Sequence, residues 1–327
     1  MKPTALLRSK FSMFAKLVST AIKNPRRSAE LLNLLPSVVH QGVVSTAIKN
    51  PRWTVESLNE LPSVVQGVQF SRETDFSTPI EVEDDSLEAA NPLLSYFNSH
   101  REGLGIWKWM HYFDIYQRYF SKFVGREVHV LEVGIYSGGS LVMWKEYFGS
   151  GCRVYGVDID EECMAYEDMG IKVFIGDQAD RSFWATVRQT VPKIDILIDD
   201  GGHHHEQQRI TLEEMLPHLR PGGVYLCEDI TGVPNHFASY LQGLASSLHS
   251  YSWEPLEMPS GLSGSKSIPS NFQQAIRAIH LYPFVAVIEK RERNVRQFIA
   301  PKQGTQWQPR SLVPEPLPIP PAVATRP

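Results

Sequence analysis

The chain has 327 residues, of which 42% are hydrophobic and 21% are charged, and its formal net charge is −4. This length allows one large domain with additions, and the weak negative charge gives no global preference for nucleic acid. No apolar run reaches the roughly 18 residues that a membrane-spanning helix needs. The three cysteines, Cys152, Cys163 and Cys227, form no CxxC pair. Their number and spacing argue against a disulfide framework or a cysteine-zinc site and fit a reducing cytoplasm.

An imperfect repeat with a period of 26 residues occupies the N-terminal region, and its two copies start at Val18 and Val44. Each copy predicts two short helices separated by Asn-Pro, so we expect residues 1–78 to form a helical region. Two copies are too few for a solenoid. The basic residues 1–29 suit weak contact with an anionic membrane surface or a targeting segment. The simpler interpretation is a helical addition packed on a neighbour or on a second subunit of a homo-oligomer.

Two further segments lack the pattern of a packed domain. Residues 79–92 have the composition of a linker, and the proline-rich tail over residues 309–327 is expected to be extended and disordered. The remaining residues, 93–308, are predicted to form the main domain.

Within this domain, five apolar runs alternate with helical stretches. The runs lie at residues 128–135, 153–160, 171–177, 194–200 and 223–229. Such alternation predicts right-handed βαβ crossovers and a doubly wound, mostly parallel sheet. Residues 276–291 add two strands joined by a tight Tyr-Pro turn, so this last pair is antiparallel. The predicted fold class is therefore α/β, a Rossmann-like sheet of seven strands with a C-terminal antiparallel hairpin, a layout that resembles the class I methyltransferases.

Polar residues follow the carboxyl ends of the parallel strands, where open α/β sheets bind their ligands. The first strand leads into a turn of the form ExGxxxGGS, which differs from the GxGxxG spacing that admits a dinucleotide pyrophosphate. S-adenosylmethionine has a cationic amino group and a sulfonium but no phosphate, so a pocket edged by carboxylates suits it. Asp158 can accept hydrogen bonds from ribose hydroxyls, a role that nicotinamide cofactors also use. A Rossmann-like domain for another nucleotide therefore stays open.

Three acids, Asp200, Glu228 and Asp229, follow two strands that we expect to be adjacent. Clustered carboxylates repel one another unless a cation lies between them, and oxygen ligands suit a hard ion such as Mg²⁺. The alternative is that one acid caps the following helix while the others face solvent.

Three consecutive histidines begin three residues after Asp200. The first, His203, can remove a proton from a substrate hydroxyl whose pKa a bound metal has lowered. Three consecutive histidines cannot all face one ion from a tight turn, and the chain has no HExxH motif, which argues against a zinc hydrolase. We expect His204 and His205 to be surface residues or to begin the next helix.

Several of these segments together carry a family resemblance. They lie at residues 108–120, 128–149, 155–160, 174–184, 194–208, 216–230 and 279–291. The chain resembles the metal-dependent sugar O-methyltransferases of macrolide biosynthesis, and with them the rhamnosyl O-methyltransferases and the cephalosporin hydroxylase-like methyltransferases. The resemblance covers about residues 91–308 and is most specific in the DDGGH and ED motifs.

The resemblance implies an S-adenosylmethionine- and Mg²⁺-dependent O-methyltransferase of natural-product or antibiotic biosynthesis, acting on a hydroxyl of a glycosylated or polyketide-type small molecule. It implies His203 as the general base and Asp200, Glu228 and Asp229 as the Mg²⁺ ligands. The residues it implies for the S-adenosylmethionine pocket are Glu132, Gly134, Tyr136, Ser140, Asp158, Asp177, Gln178 and Asp199. The N-terminal repeat and the two extra histidines depart from the family pattern, which leaves the acceptor and the oligomer contacts open.

Two other functional classes remain. One is a nucleotide-dependent oxidoreductase or hydroxylase on the same fold, although the chain shows neither an iron-type facial triad nor GxGxxG. The other is a noncatalytic scaffold whose working parts are the repeat and the proline-rich tail.

Two segments beside the expected site have two interpretations each. Residues 259–272, rich in Gly and Ser, are expected to be a flexible loop that either closes over the acceptor or is an ordinary connection. The aromatic residues ahead of the first strand would either stack on a sugar or adenine ring or pack against the sheet. These are Trp107, Trp109, His111 and Tyr112.

Overall fold

The computed structural model describes residues 63–64, 66–74, 91–232, 235–250, 254–257 and 263–302. Of the predicted N-terminal region, residues 63–64 and 66–74 are described, and residues 63–64 and 66–73 are helical. The rest of the repeat, the linker before residue 91 and the proline-rich tail lie outside the described residues. Among the helices that are described, none is long and apolar enough to cross a membrane.

Seven strands form the main sheet, in the order β3-β2-β1-β4-β5-β9-β8. They are β1 Val128–Val133, β2 Cys152–Asp158, β3 Lys172–Ile175, β4 Ile194–Asp199, β5 Leu219–Cys227, β8 Ile276–Tyr282 and β9 Val285–Lys290. Strands β1 to β5 pair in parallel, whereas β9 is antiparallel to both β5 and β8. This arrangement confirms the predicted α/β fold and its C-terminal hairpin.

Helices connect the strands and cover the sheet. They are α1 Pro92–Ser99, α2 Tyr112–Phe120, α3 Gly139–Phe148, α4 Arg181–Thr190, α5 His205–Met215, α6 His236–His249 and α7 Asn271–Ala275. Several begin where a side chain satisfies free backbone N–H groups of the first turn. Asn91 accepts hydrogen bonds from the N–H groups at the start of α1, Asp180 does so for α4, and Asn235 does so for α6.

The hydrophobic core has two layers, one on each face of the sheet. In β1, Val128 and Val130 belong to one layer, while Leu131 and Val133 belong to the other. Central parallel strands are buried on both faces, which explains why these strands were visible in the sequence as continuous apolar runs. The strand order reverses between β1 and β4, and a ligand site is expected beyond their carboxyl ends.

A second sheet of three antiparallel strands was not predicted. It has the order β10-β7-β6 and consists of β6 Glu254–Glu257, β7 Ser263–Ser267 and β10 Phe298–Pro301. The expectation of a flexible loop over residues 259–272 is wrong where β7 and the start of α7 lie. The sequence of β7, SGSKS, has weak strand propensity, and its pairing with β6 and β10 supplies the order that the local sequence does not indicate.

Candidate functional site

The turns after β1 and β4 touch at the point where the strand order reverses. Gly134 has φ 81°, and a Cβ placed there would lie 2.0 Å from the backbone oxygen of Asp200. Only glycine allows the two backbones to approach this closely. The contact holds the turn that carries Asp200 and His203 against the turn after β1.

A buried ammonium group, that of Lys108, lies among the carboxylates that follow β1, β4 and β5. Its Nζ is 3.4 Å from Glu132 Oε1, 2.5 Å from Asp200 Oδ2 and 3.1 Å from Glu228 Oε2. The Lys108 side chain is only 4% exposed. Sequence reasoning missed this lysine because it belongs to no motif. The available signal was its position in the family-like segment 108–120, in a domain whose parallel strands each have an acid within two residues of the carboxyl end.

Three carboxyl groups surround the single ammonium of Lys108, and their mutual effects shift the pKa of several members of the cluster. Burial lowers the pKa of Lys108, but Glu228, Asp200 and Glu132 together hold it well above its ordinary value. Burial raises the pKa of Glu228 to about 8, an effect that Asp200 adds to and that Lys108 opposes. Burial likewise raises the pKa of Glu132. Three carboxyl groups surround one ammonium, and a further cation nearby would stabilise the ionised forms of Glu228 and Glu132, which burial disfavours.

Three potential ligand atoms face one another beside this cluster. Single atoms of Asp200, His203 and Asp229 lie within 4.8 Å of one another. His203 Nε2 is 4.0 Å from Asp200 Oδ1 and 3.8 Å from Asp229 Oδ2. These separations are too long for direct hydrogen bonds and suit an intervening ion or substrate oxygen. Two carboxylates with room for water or substrate oxygens are a donor set that fits Mg²⁺.

Glu228, the third predicted metal ligand, contacts Lys108 instead of facing this group. Both of its carboxylate oxygens lie within 3.2 Å of Lys108 Nζ, and Oε1 also accepts a 2.6 Å hydrogen bond from Tyr116. Glu228 is 1% exposed. The structure therefore brings Asp200 and Asp229 together with His203, and places Glu228 behind them.

Asp229 is held from the opposite side by aromatic residues of the α2 region. Its Oδ1 accepts hydrogen bonds from Tyr112 Oη at 2.6 Å and from Trp109 Nε1 at 3.1 Å, while Oδ2 faces His203. His203 and Asp229 have φ values of 56° and 51°. Left-handed backbone is uncommon for residues other than glycine and clusters at functional sites.

The aromatic residues expected near the site divide between the two interpretations. Tyr112 is buried and Trp109 packs on Phe284 of the β8–β9 turn, with ring centroids 5.5 Å apart. His111 also contacts Phe284. Trp107 is 88% exposed, so it is available to a ligand, as is the half-exposed indole of Trp109.

Asp158 joins the turn after β1 to the end of β2. Its Oδ2 accepts hydrogen bonds from the N–H groups of Ile135 and Tyr136, at 3.0 and 3.1 Å. Its Oδ1 accepts from Ile159 and Asp160, at 2.8 and 3.1 Å. This carboxylate shapes the turn next to the expected ribose position, and Tyr136 is exposed there with φ 39°.

Two residues implied for the cofactor pocket are buried beneath its surface. Glu132 Oε2 accepts hydrogen bonds from Ser140 at 2.9 Å and from Trp144 at 3.0 Å. Glu132 and Ser140 therefore connect the end of β1 to the first turn of α3, below the accessible edge.

A second buried network lies at the ends of β3 and β4. Gln178 Nε2 donates to Asp199 Oδ1 at 3.0 Å, and Tyr225 donates to Asp199 Oδ2 at 3.1 Å. Burial raises the pKa of Asp199 to about 7, against the lowering effect of these hydrogen bonds. Asp177, in contrast, is exposed at the same edge and accepts a hydrogen bond from the N–H of Ala179.

The two remaining histidines of the HHH run begin a helix, as predicted. His204 is the N-cap residue and His205 the first residue of α5. Their rings lie 4.3 Å apart, and neither belongs to the Asp200–His203–Asp229 group.

Comparison with known proteins identifies the domain. Residues 131–230 match the family model described as a methyltransferase domain. Mycinamicin VI 2''-O-methyltransferase of Micromonospora griseorubida is 32% identical over 192 residues, which cover 54% of this chain and 47% of that protein. An 8-demethyl-8-alpha-L-rhamnosyl tetracenomycin-C 2'-O-methyltransferase of Streptomyces olivaceus is 30% identical over 210 residues, covering 58% and 53%.

A third relative, demethylmacrocin O-methyltransferase of Streptomyces fradiae, is 37% identical over 132 residues, covering 38% of this chain and 33% of that protein. The chain thus spans between a third and about half the length of these curated relatives. Among solved structures, MycE methyltransferase from the mycinamycin biosynthetic pathway, in complex with Mg, SAH and mycinamycin VI, is 28% identical. The structural match covers 62% of this chain and 53% of MycE, with a TM-score of 0.47. The domain match and the curated relatives confirm the family resemblance inferred from the sequence.

Proposed function

We propose that this chain, which carries a methyltransferase domain over residues 131–230, is an S-adenosylmethionine-dependent O-methyltransferase assisted by a divalent cation such as Mg²⁺. Its acceptor is a hydroxyl of a sugar attached to a polyketide-type small molecule. The observation that carries the proposal is the Asp200–His203–Asp229 group at the carboxyl edge of the sheet. Relatives named as O-methyltransferases of a mycinamicin and of a rhamnosyl tetracenomycin support this acceptor class.

The donor side of the proposal rests on charge and position. S-adenosylmethionine brings an amino group and a sulfonium, and both suit an edge where acids end the parallel strands. Asp158 shapes the turn after β1, and exposed Asp177 follows β3 at the same edge. The turns after β1, β2 and β3 would therefore hold the donor, at the same edge of the sheet as His203.

The acceptor side rests on the open group of ligand atoms. Asp200 and Asp229 would hold the cation, whose charge lowers the pKa of a nearby hydroxyl. His203 Nε2 stands 4.0 Å from Asp200 Oδ1 and 3.8 Å from Asp229 Oδ2, and it takes the proton of a hydroxyl positioned between them. The oxygen then forms a bond to the methyl carbon in line with the departing sulfur, which keeps the electron pair of the broken C–S bond.

The test compares His203→Ala with His204→Ala, its exposed neighbour in sequence. Methyl transfer to a panel of glycosylated polyketides is followed by mass spectrometry as a 14-dalton gain, with calorimetry for S-adenosylmethionine affinity. His203→Ala should lose at least about 100-fold in rate, because a general base contributes roughly that much or more, and should keep its donor affinity. His204→Ala should remain close to wild type.

Two results would contradict the proposal. A His203→Ala enzyme that methylates at the wild-type rate removes the base assignment. Binding of NAD(H) without any binding of S-adenosylmethionine removes the methyltransferase assignment and supports the nucleotide-dependent oxidoreductase class.

A further inference from the structure

We propose that Tyr166 is a positioning residue of the donor site, which holds Tyr136 in a strained backbone conformation and so presents the exposed ring of Tyr136 to S-adenosylmethionine. Tyr166 lies in the short 3₁₀ helix Glu161–Met169, between β2 and β3. The inference rests on the proposed function, because it concerns how the turn after β1 is shaped to receive the donor. It adds to that site a residue 30 positions away from Tyr136 in sequence, outside the motifs that indicated the donor pocket.

The first support is the conformation of Tyr136. Its φ of 39° lies in the left-handed region, which is unfavourable for a bulky side chain and persists only where the surrounding structure enforces it. The side chain is 75% exposed, so burial of its own ring does not enforce this conformation. Other groups must therefore hold the backbone of Tyr136, and a strained residue with an open aromatic ring indicates a binding role.

The second support is that two side chains of the 3₁₀ helix converge on the carbonyl oxygen of Tyr136. Tyr166 Oη donates a 2.8 Å hydrogen bond to this oxygen, and the buried thiol of Cys163, a weak donor, lies 3.7 Å from it. On the other side of the residue, Asp158 accepts a hydrogen bond from the Tyr136 N–H at 3.1 Å. Residues at and after the end of β2 therefore fix the peptide groups on both sides of Tyr136 and oppose its rotation out of the left-handed region.

The third support is the contact between the ring of Tyr166 and Gly138 in the same turn. A Cβ added at Gly138 would lie 2.7 Å from this ring, and Gly138 itself has φ 73°. Glycine at this position thus satisfies both the left-handed backbone and the close approach of the ring. Because the hydroxyl contacts Tyr136 and the ring contacts Gly138, Tyr166 covers the turn as a single rigid side chain.

The 3₁₀ helix is attached to its surroundings by contacts that do not involve the turn after β1. Lys145 of α3 donates a 2.7 Å hydrogen bond to the carbonyl oxygen of Met169, at the end of the 3₁₀ helix. Glu167 accepts a 3.3 Å hydrogen bond from the N–H of Val173 in β3. These contacts fix the element that carries Tyr166, so this residue can act as a support for the turn.

The test measures donor affinity without an acceptor. S-adenosylmethionine is titrated by calorimetry into wild type, Tyr166→Phe and Tyr155→Phe. Tyr166→Phe removes the hydroxyl and keeps the ring against Gly138, and we expect a loss of affinity of about three- to tenfold, the range for one net hydrogen bond. Tyr155→Phe is the matched control, because its hydroxyl contacts the ring of His129 in β1 at 2.9 Å, and it should bind the donor like wild type.

A double-mutant cycle tests whether Tyr166 acts through Tyr136. Tyr136→Ala removes the ring and should weaken donor binding at least as much as Tyr166→Phe. In the Tyr136→Ala background, Tyr166→Phe should change the affinity by less than about twofold, because no ring remains to be positioned. In methyl-transfer assays, Tyr166→Phe should raise the KM for S-adenosylmethionine and leave kcat near wild type, as expected for a loss of donor binding alone.

Hydrogen exchange in the wild-type chain tests the same connection without a variant. Because Tyr166 links the 3₁₀ helix to the donor turn, S-adenosylmethionine should slow amide exchange at residues 164–169 as well as at residues 134–138. This measurement decides the inference if Tyr166→Phe does not fold, as judged by circular dichroism. Slower exchange confined to residues 134–138 would then overturn it.

The outcomes separate this inference from the proposed function. If wild type binds S-adenosylmethionine and Tyr166→Phe binds it equally well, the inference is overturned while the proposed function stands. Losses that add in the double variant, or an equal loss in Tyr155→Phe, also overturn it, since either result shows a general effect on the fold. If wild type does not bind S-adenosylmethionine, the proposed function falls, and the inference falls with it.

Discussion

The hydroxyl of Tyr112 donates a 2.6 Å hydrogen bond to Asp229 Oδ1 and accepts one from the Asp229 N–H at 3.3 Å. One helical turn later, Tyr116 donates to Glu228. Residues four apart lie on the same face of a helix. Helix α2 therefore holds two consecutive acids of the β5 edge with two tyrosines, and its orientation sets the orientation of the site.

Replacing Tyr112 by Phe should weaken ion binding while leaving the fold intact. The phenyl ring keeps the packing of a buried side chain, but Asp229 loses a hydrogen bond to a charged group, which is worth roughly 1.5–3 kcal/mol. We expect about a tenfold loss of Mn²⁺ affinity by paramagnetic resonance. Tyr119→Phe on the same helix, whose hydroxyl contacts that of Tyr282, is the control and should bind Mn²⁺ like wild type.

The parallel sheet and its acidic edge were predictable because both arise from local patterns. Strand β4, IDILID, is apolar apart from Asp195 until it ends in Asp199 and Asp200, so its burial and its polar end are both indicated by the sequence. The different environments of these two acids depend on contacts with residues distant in sequence, and only the structure gives them. Asp199 lies in a buried network with Gln178, whereas Asp200 faces His203 on the open side of the site.

The contribution of Lys108 was not predictable, because it depends on contacts between residues that are distant in sequence. It lies 92 residues from Asp200 and 120 residues from Glu228 in sequence, and a single lysine between two tryptophans has no pattern of its own. The resemblance to a family implied Glu228 as a metal ligand, but the neighbour of this acid is set by the path of the chain before α2. Long-range ion pairs of this kind appear only once the fold is known.

The contact between Gly134 and Asp200 should make alanine at position 134 strongly destabilising. Gly125 is the control, since it also has a positive φ, 71°, but has nothing within 4 Å of an added Cβ. Gly125→Ala should cost about 1–2 kcal/mol of unfolding free energy for the left-handed backbone alone. Gly134→Ala should cost about 1–3 kcal/mol more because its Cβ meets backbone. Urea unfolding measures both, and equal losses would show that the close approach is relieved at little cost.

Replacing Asp158 by Asn should weaken donor binding. The Asp158 carboxylate accepts hydrogen bonds from four backbone N–H groups. The amide has only one acceptor oxygen, so its NH₂ group, a donor, would face two of these N–H donors. The turn carrying Tyr136 would lose its anchor, and we expect roughly a tenfold loss of S-adenosylmethionine affinity by calorimetry, equivalent to one or two hydrogen bonds. Asp160→Asn, which alters only the cap on Glu162, should leave this affinity unchanged. An unchanged Asp158→Asn would place the donor elsewhere.

The buried carboxyl of Asp199 should make stability depend on pH. Burial raises its pKa to about 7 in the folded chain, against about 3.9 in an unfolded chain. Between these values the folded state binds the proton more tightly, so this group's contribution to stability falls as pH rises from about 4 to about 7 and is lost above that. The full difference is at most about 4 kcal/mol.

Asp199→Asn keeps a neutral side chain at all pH values, so in urea unfolding with EDTA it should gain stability over wild type between pH 5.5 and pH 8. A difference that stays constant across that range would mean that Asp199 remains ionised in its hydrogen bonds to Gln178 and Tyr225.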